Sequence, residues 1–584
     1  EKAITVLSNE NFMLPFQARD KDRVAYLGVG IAEAGSFTRA LKGYQSGVDD
    51  YYFPVDGSYE KAAAIAGMLK SNYDKLIIGL SNFSHYPANN FGLSDQEIQL
   101  VQQLEEEMPS VTVVFGNPYA LKNFPHSPNL IAAYEDDSIM HQVAADLIFQ
   151  KITPAGKLPV TVSPDFKYGA GLSGFESHEA SLPTVAPEKV GMNSHTLEKI
   201  DSIAKDAIAK GAAPGCVVLA MRAGKIFYQK AFGHLNYEDQ VPVTTHTVYD
   251  MASVTKICAT TLSCMRMYDE GKLKLDKTLG DYIPWLRHSD KAPLKIKDIM
   301  THQAGLVAWI PFYKYTLYDG VHPDTVIYNR IRNSTHTVRV AENMYMEKDY
   351  IDTMNQDIRN SRLGPLKKYV YSDNDFILMG RIVEQLTGQT LDQYAKKTFY
   401  DRLGMLSTGF KPRERYSLNR IAPTECEKYF RLQCLHGDVH DPGAAMFGGV
   451  SGHAGLFSDA YDLAVLMQMV LNGGSFNGVR YIKPSTIKLF TAYNTPISRR
   501  GLGFDKPEKD RKNEKDPYPC KSASPETYGH TGFTGTCVWV DPKYKLVYIF
   551  LSNRVCPDGG ENLKLEHMDV RSKIQETLYE AMGK

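Results

Sequence analysis

The chain has 584 residues, 43% of them apolar and 23% charged, with a net charge of −1. That length accommodates two or more domains with sizeable cores, and the composition belongs to a folded globular protein rather than a disordered one. Near-neutrality argues against nucleic acid or an anionic membrane as the main partner, and no run of about 18 apolar residues is present to span a bilayer.

Over residues 1–165, apolar runs alternate with helix-like segments. Val24–Gly30, Lys75–Leu80, Val111–Gly116 and Leu130–Tyr134 read as strands buried on both faces. Glu60–Lys70, Asp95–Glu107 and Ser138–Phe149 read as helices. Strand and helix in turn predict an α/β, doubly wound, mostly parallel sheet. Gly28-Val29-Gly30 lacks the third glycine and the acidic residue of a dinucleotide site, so it reads as a tight turn. The segment opens at EKAITVLSNENFMLPF with no export signal, as if the true N-terminus lay elsewhere.

Residues 166–186 are rich in Pro, Gly and Ser and lack periodicity, which marks a linker. From 187 to 584 the pattern changes. Asn193–Lys210 is an amphipathic helix. Gly215–Gly233 reads as a hairpin turning at Ala223-Gly224, and Thr536–Asn553 as another. Strands near both ends, a helix over His567–Ala581 and a long helical insert between them predict an α+β domain whose antiparallel sheet is closed by both ends of the segment. The Tyr- and Met-rich stretch Gly305–Arg362 is expected to form a lid or a substrate wall.

Tyr249–Gly271 reads as a buried helix carrying Ser253-Val254-Thr255-Lys256 near its start. Ser-x-x-Lys spacing stacks a hydroxyl and an amine on one helix face, where the amine can take the hydroxyl proton. Unpaired N–H groups at a helix start favour a developing oxyanion. The pattern alone is weak, because Ser58–Lys61, Ser202–Lys205 and Ser485–Lys488 match it too. Downstream, Tyr371-Ser372-Asp373-Asn374 opens a further helix, and His530-Thr531-Gly532 precedes the terminal hairpin.

With SVTK, these resemble the three active-site motifs of the serine β-lactamase and DD-peptidase superfamily. PEKVGM, MTHQAGL, YSDNDFILMGRIVEQLTG, SGHAGLFSDAYDLA and GLGF look like its class C branch and the esterase and peptidase relatives of that branch. The resemblance implies Ser253 as acylated nucleophile and Lys256 as its base, with a pKa lowered by burial. It implies Tyr371 as proton carrier and His530 on the cleft wall. Asp373, Thr531, Gly532 and Phe533 would contact substrate, and the N–H groups of Ser253 and Phe533 would form the oxyanion hole. Two departures stand out: Asp373 replaces an asparagine and His530 replaces a lysine, which points to an esterase or D-peptidase with weak or no β-lactamase activity. Ser372-Asp373-Asn374 also spells the motif of other branches, so the assignment of Tyr371 has that alternative.

AITVLSNENFMLPF, GNPYAL and AADLIFQKITPAGKLPVTVS resemble the C-terminal α/β-sandwich domain of family 3 glycoside hydrolases, of the β-N-acetylglucosaminidase type. In that family the machinery sits mainly on a preceding barrel, expected here as a missing N-terminal domain. No supported carboxylate pair is present. Asn82, His85 and Asn117 read as loop-solvating residues, with sugar contact in an intact enzyme as the alternative.

No cofactor or metal is expected. His436, His440, Asp441 and His453 read as a loop lining the cleft, and His302 as a structural residue near it. Cys258 and Cys264 read as core thiols, while Cys426 and Cys434 either pair or simply lie close. Three functions remain: a serine hydrolase acting on cell-wall peptide or muropeptide, a non-catalytic muropeptide-binding module, and the accessory half of a glucosaminidase. The resemblance implies a bacterial periplasmic or exported protein.

Overall fold

The computed structural model describes residues 2–9, 13–16, 22–84, 86–173, 182–238, 240–510 and 517–583. The chain divides into two compact units. The first comprises Glu1–Ser177 with Ile331–Asn333 and Pro412–Leu418, and the second holds the remainder. Among the described residues, no helix is long and apolar enough to cross a membrane.

Unit 1 runs β1 (Thr5–Asn9), β2 (Val24–Val29), α1 (Ser36–Tyr44), β3 (Asp49–Phe53), α2 (Tyr59–Asn72), β4 (Lys75–Leu80), α3 (Asp95–Glu107), β5 (Ser110–Val114), β6 (Asn129–Ala132) and α4 (Ser138–Ile148). The six strands form one sheet in the order β1-β6-β5-β4-β2-β3, parallel throughout except for β1. Side chains alternate across it. Ala25, Leu27 and Val29 of β2 pack with Leu69 of α2 and Leu100 and Leu104 of α3. Val24 and Tyr26 pack with Phe37 and Leu41 of α1 and Leu147 of α4. Burial on both faces is why these strands read as unbroken apolar runs. β3 escapes that reading because it begins with two aspartates. Gly30 is the expected tight turn: its φ is +85°, and a Cβ there would lie 2.1 Å from the Ser81 carbonyl oxygen.

Unit 2 is built on a five-stranded antiparallel sheet. In chain order its main elements are α5 (Ser194–Ala209), β7 (Gly215–Arg222), β8 (Lys225–Gly233), α6 (Leu262–Asp269), α7 (Asp373–Thr387), α8 (Ala460–Leu471), β9 (Tyr528–Thr531), β10 (Cys537–Asp541), β11 (Leu546–Ser552) and α9 (Val570–Glu580). The strand order is β9-β10-β11-β7-β8, so the two predicted hairpins meet where β11 pairs with β7. Ala223 and Gly224 both have positive φ, the backbone a two-residue hairpin turn requires. Helices α5 and α9 bury Leu197, Ile200, Ile574 and Leu578 against Val218, Trp539 and Phe550 of the sheet. Each such side chain contributes about 1.5–3 kcal/mol when removed from water. Helix α8 packs against β7 and β11.

The stretch expected as one helix over Tyr249–Gly271 is more articulated. Tyr249 and Asp250 are extended and pair with Phe457 and Ser458. A tight 3-10 turn follows at Ala252–Val254, then a widened π turn over Lys256–Thr261, and only then α6, which stops at Gly271 (φ +72°). Widened turns of this kind are frequent at functional sites. The helix expected over His567–Ala581 is likewise broken, at Asp569 (φ +56°). Cys426 and Cys434 are joined as a disulfide, and the other six cysteines are buried thiols. Within the insert lie a three-stranded sheet (Tyr328–Asn329, Val338–Ala341, Met344–Met346) and the helix Tyr350–Asn360.

Candidate active site

Local backbone strain sets Ser253. The residue before it, Ala252, has φ +44°, a left-handed conformation that costs a non-glycine residue about 1–3 kcal/mol. The Asp250 carboxylate holds it there, accepting from the N–H of Ala252 at 2.8 Å and from that of His440 at 2.7 Å. Burial raises the Asp250 pKa to about 6. The other three Ser-x-x-Lys matches are exposed on helix surfaces, whereas Lys256 is fully buried.

Lys256 Nζ uses all three of its donors. It bonds Ser253 Oγ at 2.8 Å, Asp373 Oδ1 at 2.7 Å and the His453 carbonyl oxygen at 3.1 Å. Ser253 Oγ also accepts the Tyr371 hydroxyl at 2.9 Å. Two of the predicted residues, Lys256 from the same turn and Tyr371 from 118 residues away, therefore converge on the oxygen of Ser253. The amine differs from expectation. Burial pulls its pKa down, but the Asp373 carboxylate and the Tyr371 hydroxyl together outweigh burial and the net shift is upward, so the resting amine is an ammonium. Burial raises Tyr371, opposed by the charges of Lys256 and Arg500.

Tyr371 and Asp373 flank Ser372 at the start of α7. Beneath them lies His302 (φ +57°), whose ring sits 4.6 Å from the Tyr371 ring. Its Nδ1 is 2.7 Å from Asp375 Oδ2 and accepts the Ser372 N–H at 3.2 Å. Burial drives Asp375 well above and His302 well below their usual ranges, so the carboxylic acid donates to a neutral imidazole. His302 thus anchors the loop under Tyr371. Nearby, the chain at Gly452 approaches α7 so closely that a Cβ would fall 1.9 Å from the Phe376 carbonyl oxygen. That approach brings the His453 carbonyl to Lys256.

β9 supplies the facing wall. His530 is buried; its Nδ1 donates to the Thr531 carbonyl at 2.7 Å, and its Nε2 accepts from Arg500 at 3.2 Å. Burial and the adjacent guanidinium lower its pKa to about 3, so the imidazole is neutral. Arg500, which sequence reasoning missed, supplies the positive charge that a lysine at position 530 would have carried. It is 4% exposed, 5.2 Å from the Tyr371 ring, and bonded to the Tyr369 hydroxyl. Its only sequence signal was adjacency to the GLGF segment. Gly532 admits no side chain, since a Cβ would lie 2.2 Å from Thr536 Oγ1. Among the described residues, the N–H groups of Ser253 and Phe533 donate to no backbone or side-chain acceptor.

The resulting cleft has a volume of about 760 Å³. Ser253, Tyr371, Asp373, His530, Thr531, Gly532 and Phe533 all line it. From the insert, Trp309 and Tyr313 line it as well. His440, Asp441 and His453 lie on the cleft, with His453 Nε2 2.8 Å from Asp441 Oδ1, whereas His436 Nε2 bonds the Ile421 carbonyl. In unit 1, Asn82 lines a separate cavity and Asn117 caps the turn at Pro118–Asn123; His85 lies outside the described residues. Chemically, the cleft offers a hydroxyl between a proton donor and an ion pair, opposite free N–H groups and a fixed positive charge.

Residues 200–569 match the Beta-lactamase family, and residues 4–191 match the Glycosyl hydrolase family 3 C-terminal domain. A Salmonella schwarzengrund protein named "Putative D-alanyl-D-alanine carboxypeptidase" is 32% identical over 410 residues, covering 66% of this chain and 88% of its own. Among solved structures, EstCE1, titled a hydrolase with promiscuous acyltransferase activity, is 20% identical with a TM-score of 0.49. It covers 66% of this chain and 99% of that chain. An octameric penicillin-binding protein homologue from Pyrococcus abyssi is 19% identical with a TM-score of 0.48, covering 65% and 77%. A cleft built on Ser253, Lys256 and Tyr371, with family matches to both units, identifies the chain as a member of the β-lactamase family that also carries a family 3 glycoside hydrolase C-terminal domain.

Proposed function

We propose that the protein is a serine hydrolase that cleaves an ester or amide bearing a free carboxylate, through an acyl group on Ser253. The observation that carries this is the double contact at Ser253 Oγ, with Lys256 at 2.8 Å and Tyr371 at 2.9 Å, and with Asp373 one bond further on through Lys256. Ser253 Oγ attacks the carbonyl carbon. Its proton passes to Lys256 as Lys256 hands one of its own to Asp373, so the proton rests on the carboxylate. The developing oxyanion takes the N–H groups of Ser253 and Phe533. Tyr371 gives its proton to the departing oxygen or nitrogen and recovers it from the Lys256–Asp373 pair. Water then attacks the acyl-serine by the reverse route.

Arg500 beside the neutral His530 suits a substrate carboxylate, and the carboxypeptidase-named relative favours a peptide ending in a D-amino acid, as in cell-wall fragments. Such a substrate places the protein outside the cytoplasm, where the Cys426–Cys434 disulfide is chemically at home. A second reading draws on the same ion pair: a charged Lys256 also suits a module that binds muropeptides without turnover. Intact-mass analysis after a fluorophosphonate, a penicillin and a D-Ala-D-Ala peptide separates the two. A hydrolase gains a fluorophosphonate adduct that peptide mapping places on Ser253 and that Ser253→Ala removes from that peptide, together with p-nitrophenyl ester hydrolysis that falls in the same variant. Fragment binding with no adduct on Ser253 and no loss of hydrolysis in Ser253→Ala sinks the enzymatic reading.

A further inference from the structure

Unit 1 holds a cavity of about 740 Å³ at the carboxyl ends of β2, β3 and β4. From β2 the chain goes to β3 on one side and then crosses to β4 on the other, so the cavity sits where strand order reverses. Open parallel sheets bind ligands at such crevices.

Three residues on its wall form a continuous relay. Ser36, the first residue of α1, lies with Oγ 2.6 Å from His141 Nδ1. His141 Nε2 is 2.9 Å from Asp136 Oδ1. The second Asp136 oxygen accepts the N–H of Asn82 at 2.7 Å, and Asn82 holds the left-handed φ of +59° while its amide bonds the Gly30 carbonyl. Burial would raise the Asp136 carboxyl, but the bonds from His141 and Asn82 outweigh it and keep it ionised. An ionised carboxylate on Nε2 fixes the proton there, leaving the Nδ1 lone pair to accept from the Ser36 hydroxyl. The ring is held by Phe115, 4.4 Å away edge-on, and by Phe37. Gly35 gives α1 no side-chain cap, so the N–H groups of its first turn have no side-chain partner at the N-cap. Ile31, Phe37, Pro54 and Val55 form an apolar wall, while Glu33 and Asp56 disfavour an anionic ligand.

We infer that Ser36, His141 and Asp136 form a second acyl-transfer centre that hydrolyses small neutral carboxylic esters, independently of Ser253. Ser36 Oγ bonds to the ester carbonyl carbon as its proton moves to His141 Nδ1, and the first-turn N–H groups of α1 take the oxyanion. The carbon–oxygen bond to the alcohol breaks as His141 returns the proton to the leaving oxygen. Water, deprotonated by the same nitrogen, then releases the carboxylic acid and restores the serine.

The test uses the full chain carrying Ser253→Ala, treated with a fluorophosphonate and analysed by intact mass and peptide mapping. One adduct is expected, on Ser36, absent from the Ser36→Ala/Ser253→Ala chain. Residual p-nitrophenyl acetate hydrolysis by Ser253→Ala should fall at least tenfold with His141→Gln. No adduct on Ser253→Ala, or one mapping elsewhere, overturns the inference whatever happens to the Ser36 variants. Labelling of Ser253 in the otherwise wild-type chain with Ser36→Ala reports that variant's folding and tests the proposed hydrolase separately.

Discussion

Asp373→Asn is the most telling perturbation, because it removes a charge and almost no volume. The carboxylate lies 2.7 Å from a fully buried ammonium and is itself 23% exposed. At that distance and an effective dielectric near ~20, Coulomb attraction is about 6 kcal/mol, and water reaching the carboxylate reduces it to about half. Two consequences separate in experiment. An amide cannot accept the serine proton, so acylation at neutral pH should fall about 10²-fold, the low end of what a general base contributes. Without the carboxylate, only Tyr371 opposes the pull of burial on the Lys256 pKa, so the variant regains rate as alkaline pH frees the amine, while the wild type stays flat over that range. The assay is the second-order rate of fluorophosphonate labelling of Ser253 from pH 5 to 10. Superimposable wild-type and Asp373→Asn profiles would refute the proton route through Asp373. Stability follows the same pair. Because the folded pKa of Lys256 is raised, its contribution is complete below the ~10.4 of an unfolded lysine and disappears as pH climbs through the folded value. The variant should therefore melt several degrees lower at pH 7 and lose that difference in strong alkali.

Arg500→Gln should raise KM for a substrate with a free carboxylate about 10-fold or more while changing that for a neutral p-nitrophenyl ester little, since a hydrogen bond to a charged group is worth about 1.5–3 kcal/mol; equal effects on both would remove its role as a carboxylate anchor. His530 titrates at about 3 when folded against 6.5 in the unfolded chain, so the unfolded state binds the extra proton and stability declines as pH falls from about 6.5 to 3. His530→Gln should flatten that part of the pH–melting curve, and an unchanged slope would assign it to other groups. Gly532→Ala places a carbon 2.2 Å from Thr536 Oγ1 and 2.6 Å from the Met251 carbonyl, and should lower kcat/KM for ester hydrolysis by at least 10-fold with the circular dichroism of the sheet retained. Opening the short Cys426–Cys434 loop with Cys434→Ser should cost about 2–3 kcal/mol in urea unfolding; wild-type stability in that variant would show that the bond does not form.

Much of the architecture is written locally. Buried strands such as Lys75–Leu80 need apolar side chains on both faces, and amphipathic helices such as Asp95–Glu107 need a repeat of 3.6, so both were legible from neighbouring residues alone. The two-residue turn at Ala223-Gly224 and the order of SVTK, YSD and HTG were equally local. Less legible were α1 and β3, whose polar residues interrupt the period. The break of the Ser253 helix into three kinds of turn also escaped, because a single apolar period runs through all of them.

Electrostatics was decided by tertiary structure. The sequence by itself placed a lysine three residues after a serine, and burial alone predicted a neutral amine; only folding set Asp373 against it from 117 residues away. Arg500 reached His530, and His141 reached Ser36 from 105 residues away, in the same manner. A side chain's hydrophobic preference acts on whatever it packs against and so leaves a periodic trace along the chain. A proton's position depends on which charges stand within a few ångströms, and that neighbourhood exists only once the chain has folded.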